Sequence, residues 1–135
     1  MNAPSVDIKD ILEAESSLGL TYSTDLFIGK EPTSQESQDN CVTIFDTGEF
    51  PPQLTLTKGE NYYYPTIQIR VRNNAYITGY NLINNIRDAL HARNHETWNN
   101  TVYELIECAS GPAFLDWDEN KRARFIVNFN IQRHT

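Results

Sequence analysis

Residues 66–72 constrain the fold more than any other part of the sequence. Polar and apolar side chains alternate strictly along this segment, in the order Thr66, Ile67, Gln68, Ile69, Arg70, Val71 and Arg72. Alternation with a period of two is typical of a strand that has one face on a core and the other face exposed. We therefore expect the apolar residues to be buried, and Gln68 and both arginines to lie on the exposed face.

The end of the chain repeats the same pattern over residues 124–133. Phe125, Val127, Phe129 and Ile131 alternate with polar residues that include Asn128, Asn130 and Gln132. This segment is predicted to be a second half-buried strand. Further strands are predicted at residues 26–29, 41–45, 63–72, 101–109 and 113–117, with a turn over residues 110–112.

Two helices are predicted, at residues 5–18 and at about 75–93. Ser5 is the expected N-cap of the first helix, and Gly19 follows its end. The apolar face of the second helix comprises Tyr76, Tyr80, Ile83, Ile86 and Leu90. The order of helix, strands, helix and strands indicates an α+β fold with a single mixed, mostly antiparallel β-sheet packed by two helices. A chain of 135 residues suits one domain spanning residues 1–135.

A long loop is predicted between two of these strands, over residues 47–62. The segment follows an Asp-Thr-Gly turn and contains two consecutive prolines, Pro51 and Pro52. Loops of this length in compact domains are usually functional or disordered. We expect this loop to become ordered only when it contacts a partner.

Composition narrows the class of partner. The formal net charge is −7, and an acidic chain lacks the lysine and arginine excess that binds phosphates, so specific DNA binding is not expected. No apolar run approaches the ~20 residues of a membrane span, and no signal peptide is evident. Cys41 and Cys108 have no metal-type spacing; free thiols are favoured over a disulfide for a protein made in the cytosol.

Enzymatic motifs are weak. His91 and His95 have a zinc-compatible spacing, but the residues between them supply no glutamate base. Asp116, Asp118 and Asn120 resemble the start of a calcium loop, yet Lys121 occupies the position that requires glycine. No nucleotide-binding glycine loop and no nucleophile elbow occurs. We predict a protein that is not an enzyme and has no cofactor; the alternative is a small metal-dependent hydrolase using Asp116, Asp118 and Glu119.

Aromatic and basic residues mark a candidate interface instead. Tyr62 and Tyr63 precede the alternating strand that carries Gln68, Arg70 and Arg72. Tyrosine and arginine are enriched at binding hot spots. These five residues are predicted to contact a neighbouring subunit, with the arginines paired to acids of that subunit; partial burial of the tyrosines in the core is the alternative.

Three segments resemble a known protein family. The runs CVTIFDTGEFPP, YPTIQIRVRNNAYITGYNLINNI and RFIVNFNIQR are similar to a family of minor capsid proteins of tailed bacteriophages, whose members resemble the tail terminators of long-tailed (siphovirus-type) phages. The resemblance extends from about residue 5 to residue 133.

This resemblance implies a structural virion protein made in the host cytoplasm. Its subunits would form a homohexameric ring that stops tail polymerisation, contacts the tail tube protein and docks with the head-completion or connector protein of the neck. DNA would pass through a net negative lumen without specific binding. The long loop would reach the neighbouring ring through Asp46, Gly48, Phe50, Pro51, Pro52, Leu54 and Lys58. A head-completion or head–tail joining protein is the alternative within the neck.

Overall fold

The computed structural model describes residues 1–33, 39–54 and 61–135. These residues form two helices and one six-stranded sheet, so the α+β prediction is confirmed. In chain order, the elements are α1 (Pro4–Ala14), β1 (Leu26–Ile28), β2 (Cys41–Leu54), β3 (Asn61–Asn73), α2 (Tyr76–Leu90), β4 (Glu96–Trp98), β5 (Thr101–Trp117) and β6 (Ala123–His134).

The sheet has the strand order β1-β2-β3-β6-β5-β4. The short edge strand β1 pairs in parallel with β2, and every other pairing is antiparallel. Ile69 of β3 lies opposite Ile44 of β2 on one side and Val127 of β6 on the other. All three side chains are fully buried, because the alternation of each strand directs them to the same face of the sheet.

Both helices cover that face, which we call the helix face. Helix α1 packs against β1, β2 and β3, and α2 packs against β3, β5 and β6. Each helix contributes an apolar stripe at helical spacing, and the buried residues of these stripes are Ile8, Ile11, Leu12, Ile83, Ile86 and Leu90. The opposite side of the sheet, which we call the open face, is covered by neither of the two described helices.

The start of α1 differs from the prediction. Its N-cap is Ala3, Pro4 occupies the first turn, and Ser5 lies inside the helix. The side chain of Asp46 on β2 accepts hydrogen bonds from the backbone N–H of Ser5 at 3.0 Å and from its hydroxyl at 2.6 Å. A carboxylate from a distant strand therefore satisfies a free N–H at the positive end of this helix.

Three predicted boundaries are wrong. The predicted loop over residues 47–62 is largely a strand hairpin, because residues 47–54 continue β2 and residues 61–62 begin β3. The remaining residues of that predicted loop, 55–60, lie outside the described residues. Residues 110–112 form irregularities within a continuous β5, and the predicted turn there does not exist. Helix α1 ends at Ala14, before the predicted end.

Further differences concern α2 and β4. Helix α2 buries Ile83, Ile86 and Leu90 as predicted, whereas Tyr76 and Tyr80 are 41% and 49% exposed. Strand β4 lies in a polar segment in which the sequence had indicated no element. Within the described ranges, neither helix has the length and hydropathy needed to span a membrane.

Candidate assembly surfaces

A ladder of amide side chains runs along the open face. The amide of Gln68 on β3 donates a hydrogen bond to the Asn128 side chain on β6 at 3.2 Å. The amide of Asn128 in turn donates to the Ser110 hydroxyl on β5 at 2.9 Å. Cross-strand polar pairs of this kind satisfy one another while leaving the surface wettable. The open face is therefore polar and only weakly charged at its centre.

An ionic cluster covers one end of the open face, and it contains the two predicted interface arginines. The carboxylate of Glu31 lies 3.4 Å from the Arg70 guanidinium, 3.6 Å from that of Arg72 and 3.3 Å from that of Arg124. All four residues belong to the same chain, so these ion pairs are made within the subunit, and the pairing of Arg70 and Arg72 with acids of a neighbouring subunit stays a prediction.

Arg72 differs from Arg70 in its burial. Its side chain is 3% exposed, and its guanidinium donates to the backbone carbonyls of Asp39 (3.0 Å) and Pro32. The prediction that both arginines are exposed is therefore wrong for Arg72. Arg70 is partly exposed on the open face, and its guanidinium lies 5.0 Å from the Phe45 ring centroid.

The acidic side chains at the end of β5, Asp116 and Asp118, are also paired with arginines. Arg124 Nε donates to Asp116 at 2.6 Å, and Arg122 Nε donates to Asp118 at 2.7 Å. The Arg124 guanidinium holds the pKa of Asp116 below its usual range. Burial opposes ionisation of Asp118, but hydrogen bonds from Arg122 and Asn120 lower its pKa overall. The described residues contain no group of three or more His, Cys, Asp or Glu side chains that could hold a metal ion.

The two histidines with zinc-compatible spacing have separate partners. His91 Nδ1 accepts a hydrogen bond from the backbone N–H of Cys108 at 2.9 Å. His95 Nδ1 lies 2.7 Å from the Glu104 carboxylate, which also contacts His134 Nε2 at 2.8 Å. Cys41 and Cys108 are free thiols.

The residues predicted to reach a neighbouring ring lie on the hairpin of β2 and β3. Every β2 residue from Asp46 to Leu54 is exposed, and Phe50 and Leu54 are exposed by 60% and 81%. Gly48, Pro51 and Pro52 lie on the same arm, whereas Lys58 lies outside the described residues. Tyr62 and Tyr63 are half-buried in β3, and the Tyr62 ring contacts His134 at a centroid distance of 5.2 Å.

Sequence reasoning missed an exposed aromatic cluster on the helix face. It consists of Tyr76, Phe114 and Trp117, whose rings pack at centroid distances of 5.6, 5.9 and 6.1 Å. Tyr76 and Phe114 also rest on the buried ring of Phe125, at 5.1 and 5.7 Å. The signal was present in residues 113–117, where consecutive apolar residues break the alternation of a half-buried strand.

Comparisons with known proteins bear on what these surfaces do. The family described as "Bacteriophage tail terminator protein" matches residues 15–135. A solved structure titled "Virion of native gene transfer agent (GTA) particle" contains a chain with the same fold: the TM-score is 0.68 at 12% sequence identity, with 98% of this chain and 96% of that chain covered. No curated protein matches the sequence significantly.

Proposed function

The chain belongs to the bacteriophage tail terminator family, and from that premise we propose that it forms a homohexameric ring that ends tail-tube polymerisation. Membership of this family makes it a structural component of a phage virion and not an enzyme. The family match over residues 15–135 is the observation that carries the proposal. The ring, its six copies and its place between tail tube and neck are our inferences.

The polar open face suits the lining of a channel for DNA. Arg70 and Arg124, the basic residues on this face nearest its centre, are already paired with Glu31 and Asp116. Because paired arginines offer little free positive charge to phosphates, DNA would slide past the amide ladder without being held. We propose that this face lines the lumen and that the lumen has no net positive charge.

The protruding hairpin suits contact with a neighbouring ring. Its exposed apolar residues, Phe50 and Leu54, lie on a two-stranded arm that neither described helix covers beyond Asp46. Exposed apolar side chains on a projecting arm are typical of a binding element. We propose that this hairpin contacts the tail tube or the head-side connector, and that Tyr62 and Tyr63, at the start of β3, belong to that ring contact.

Electron microscopy of lysates from phage that lack this gene tests the proposal. Abnormally long tails, detached from filled heads, are the expected result, because nothing would stop tube polymerisation. Plasmid-borne wild-type protein should restore normal tails. Free tails of normal length would instead assign the protein to head completion or head–tail joining, and intact infectious particles would contradict a role in the neck altogether.

A further inference from the structure

The aromatic cluster of Tyr76, Phe114 and Trp117 is too exposed to be explained by the core alone. These three side chains are 41%, 42% and 53% exposed, and the neighbouring Ile77 and Leu115 are 65% and 41% exposed. The three rings contact one another, and an exposed aromatic patch of this kind marks an interaction surface. Aromatic side chains are also the residues that contribute most to interface energetics.

An unpaired strand edge borders this cluster. Strand β4 covers β5 only from Thr101 to Tyr103, and the last bridge along that edge joins Ile106 to Arg93. In the described part of the chain, no strand pairs with that edge of β5 from residue 109 to residue 117. A strand edge of this length exposes unpaired backbone N–H and C=O groups and is a template for another strand.

A second unpaired edge lies on the other side of the sheet. Strand β1 covers β2 only at Val42, Thr43 and Ile44, so residues 47–54 of β2 have no partner on that edge among the described residues. A hollow of about 300 Å³, open to solvent and with a mostly apolar lining, adjoins this edge. It is lined by Ala3, Pro4, Asp46, Gly48, Glu49 and Pro65, and it lies on the helix face because Asp46 holds the start of α1 there.

The size and character of the hollow fit an aromatic side chain. A dry cavity of ~150 Å³ is enough to bind benzene, and this hollow is about twice that volume. The aromatic cluster and the hollow both lie on the helix face. The cluster lies beside the open edge of β5 and the hollow beside the open edge of β2, and these two edges are on opposite sides of the sheet. Complementary surfaces on opposite sides are what a head-to-tail contact between identical subunits requires.

We propose that the aromatic cluster of one copy packs into the hollow of a second copy of this chain, while the β5 edge within residues 109–117 of the first pairs with the β2 edge within residues 47–54 of the second, with no N–H donated at Pro51, Pro52 or Pro112. The inference rests on the proposed ring and identifies its subunit contact. The strand directions agree: three antiparallel steps separate β2 from β5, so β5 runs opposite to β2. In a rotationally symmetric ring, β5 therefore meets the next β2 in antiparallel orientation, and one sheet continues into the next.

Crosslinking on assembled tails tests this contact. Phage lacking the gene is complemented with Ala3→Cys and Trp117→Cys combined in a Cys108→Ser background, and purified tails are treated with a short bis-maleimide. We expect a ladder of covalent multimers on denaturing gels. The matched control replaces Trp117→Cys with Asn85→Cys, at an exposed position farther along α2, and should give no ladder. Normal tails without a ladder in the test pair would overturn the proposal.

A charge exchange provides the second measurement. Trp117→Glu should lose complementation at least tenfold in plaque titre, because a carboxylate would have to enter a hollow that Asp46 and Glu49 line. Ala3→Lys should also reduce complementation, because its long side chain would occupy the hollow in place of the Trp117 ring. Combining the two should recover much of the titre, because the new lysine can pair with the new glutamate. Full complementation by both single variants would overturn the contact yet leave the tail-terminating role intact, whereas normal tails without the gene would remove that role.

Discussion

The hydroxyl of Tyr103 on β5 donates a 2.5 Å hydrogen bond to the carboxylate of Asp7 on α1, joining residues 96 positions apart. Both side chains are fully buried. The second Asp7 oxygen accepts a hydrogen bond from Asn99 at 2.7 Å, and Arg133 lies 3.8 Å from the first. Burial of a charged group is tolerated here because donors and a cation surround it.

Replacing Tyr103→Phe should therefore destabilise the fold without changing its shape. The variant leaves a buried carboxylate oxygen without its hydroxyl donor, which costs about 1–3 kcal/mol. Urea unfolding measures this change in the free energy of unfolding. Tyr22→Phe is the control, because that ring is 45% exposed, and its effect should be close to zero. Equal stability of the two variants would show that the Asp7 contact contributes nothing.

Gly79 sets how closely α2 approaches β6. A Cβ atom added at this position would lie 2.9 Å from the Phe125 ring and 3.0 Å from the Asn73 Cβ. Within a helix, alanine usually stabilises the folded state by up to ~1 kcal/mol relative to glycine. We expect Gly79→Ala to lower the melting temperature nevertheless, because the helix must shift away from the sheet. The control, Asn85→Ala on the exposed side of α2, should raise the melting temperature slightly. A higher melting temperature for Gly79→Ala would contradict the close approach of α2 to β6.

The two arginines that face the same glutamate should respond differently to truncation. Arg72→Ala removes a buried guanidinium that contacts Glu31 and two backbone carbonyls, and such losses cost ~3 kcal/mol or more. Arg70→Ala removes a partly exposed group, with an expected cost below ~1 kcal/mol. Chemical denaturation of both variants checks this order. The reverse order would contradict the burial described for Arg72.

The two thiols should differ in reactivity. Burial raises the pKa of Cys41 to about 11, so this thiol is protonated and shielded at neutral pH, whereas Cys108 is half-exposed. A thiol reagent should modify Cys108 in the native protein and Cys41 only on unfolding.

The pKa of Cys41 is higher in the native state, about 11, than in the unfolded state, ~8.5. The protonated, buried Cys41 thiol therefore stabilises the fold fully below pH ~8.5, and this stabilisation declines as the pH rises towards 11. Cys41→Ala should flatten that decline, and rapid native labelling of Cys41 would contradict its burial.

Local pattern was sufficient to predict both helices and the two central strands of the sheet, since Ile67, Ile69 and Val71 and their counterparts in β6 alternate strictly. The length of β2 was not predictable in this way. Its residues beyond Asp46 are exposed on both faces, so they show no alternation, and Pro51 and Pro52 are typical of loops. Pairing with β3 holds them in a strand.

The ionic cluster and the aromatic cluster depend on contacts between distant parts of the chain. Nothing near Arg72 in sequence indicates that Pro32 and Asp39 cover it. Tyr76 and Tyr80 follow the apolar spacing of α2, yet they meet the sheet beside Phe125, where β5 ends and nothing else in the described chain covers them. Sequence periodicity identifies a face of a helix, but only the fold decides how far that face is covered.

The two open edges lie at opposite corners of the sheet, and this has a consequence for ring geometry. Phe50 and Ala113 lie near the middle of the two open edges. The strand registers between them place these two residues about six residues apart along the strand direction, which is roughly 20 Å at ~3.4 Å per residue. The four strands β2, β3, β6 and β5 span roughly 19 Å at ~4.8 Å per strand. A flat ring closed through these edges requires strands inclined by about 45° to its axis, near the range found in closed barrels. The points at which β1 and β4 stop would thus determine that inclination.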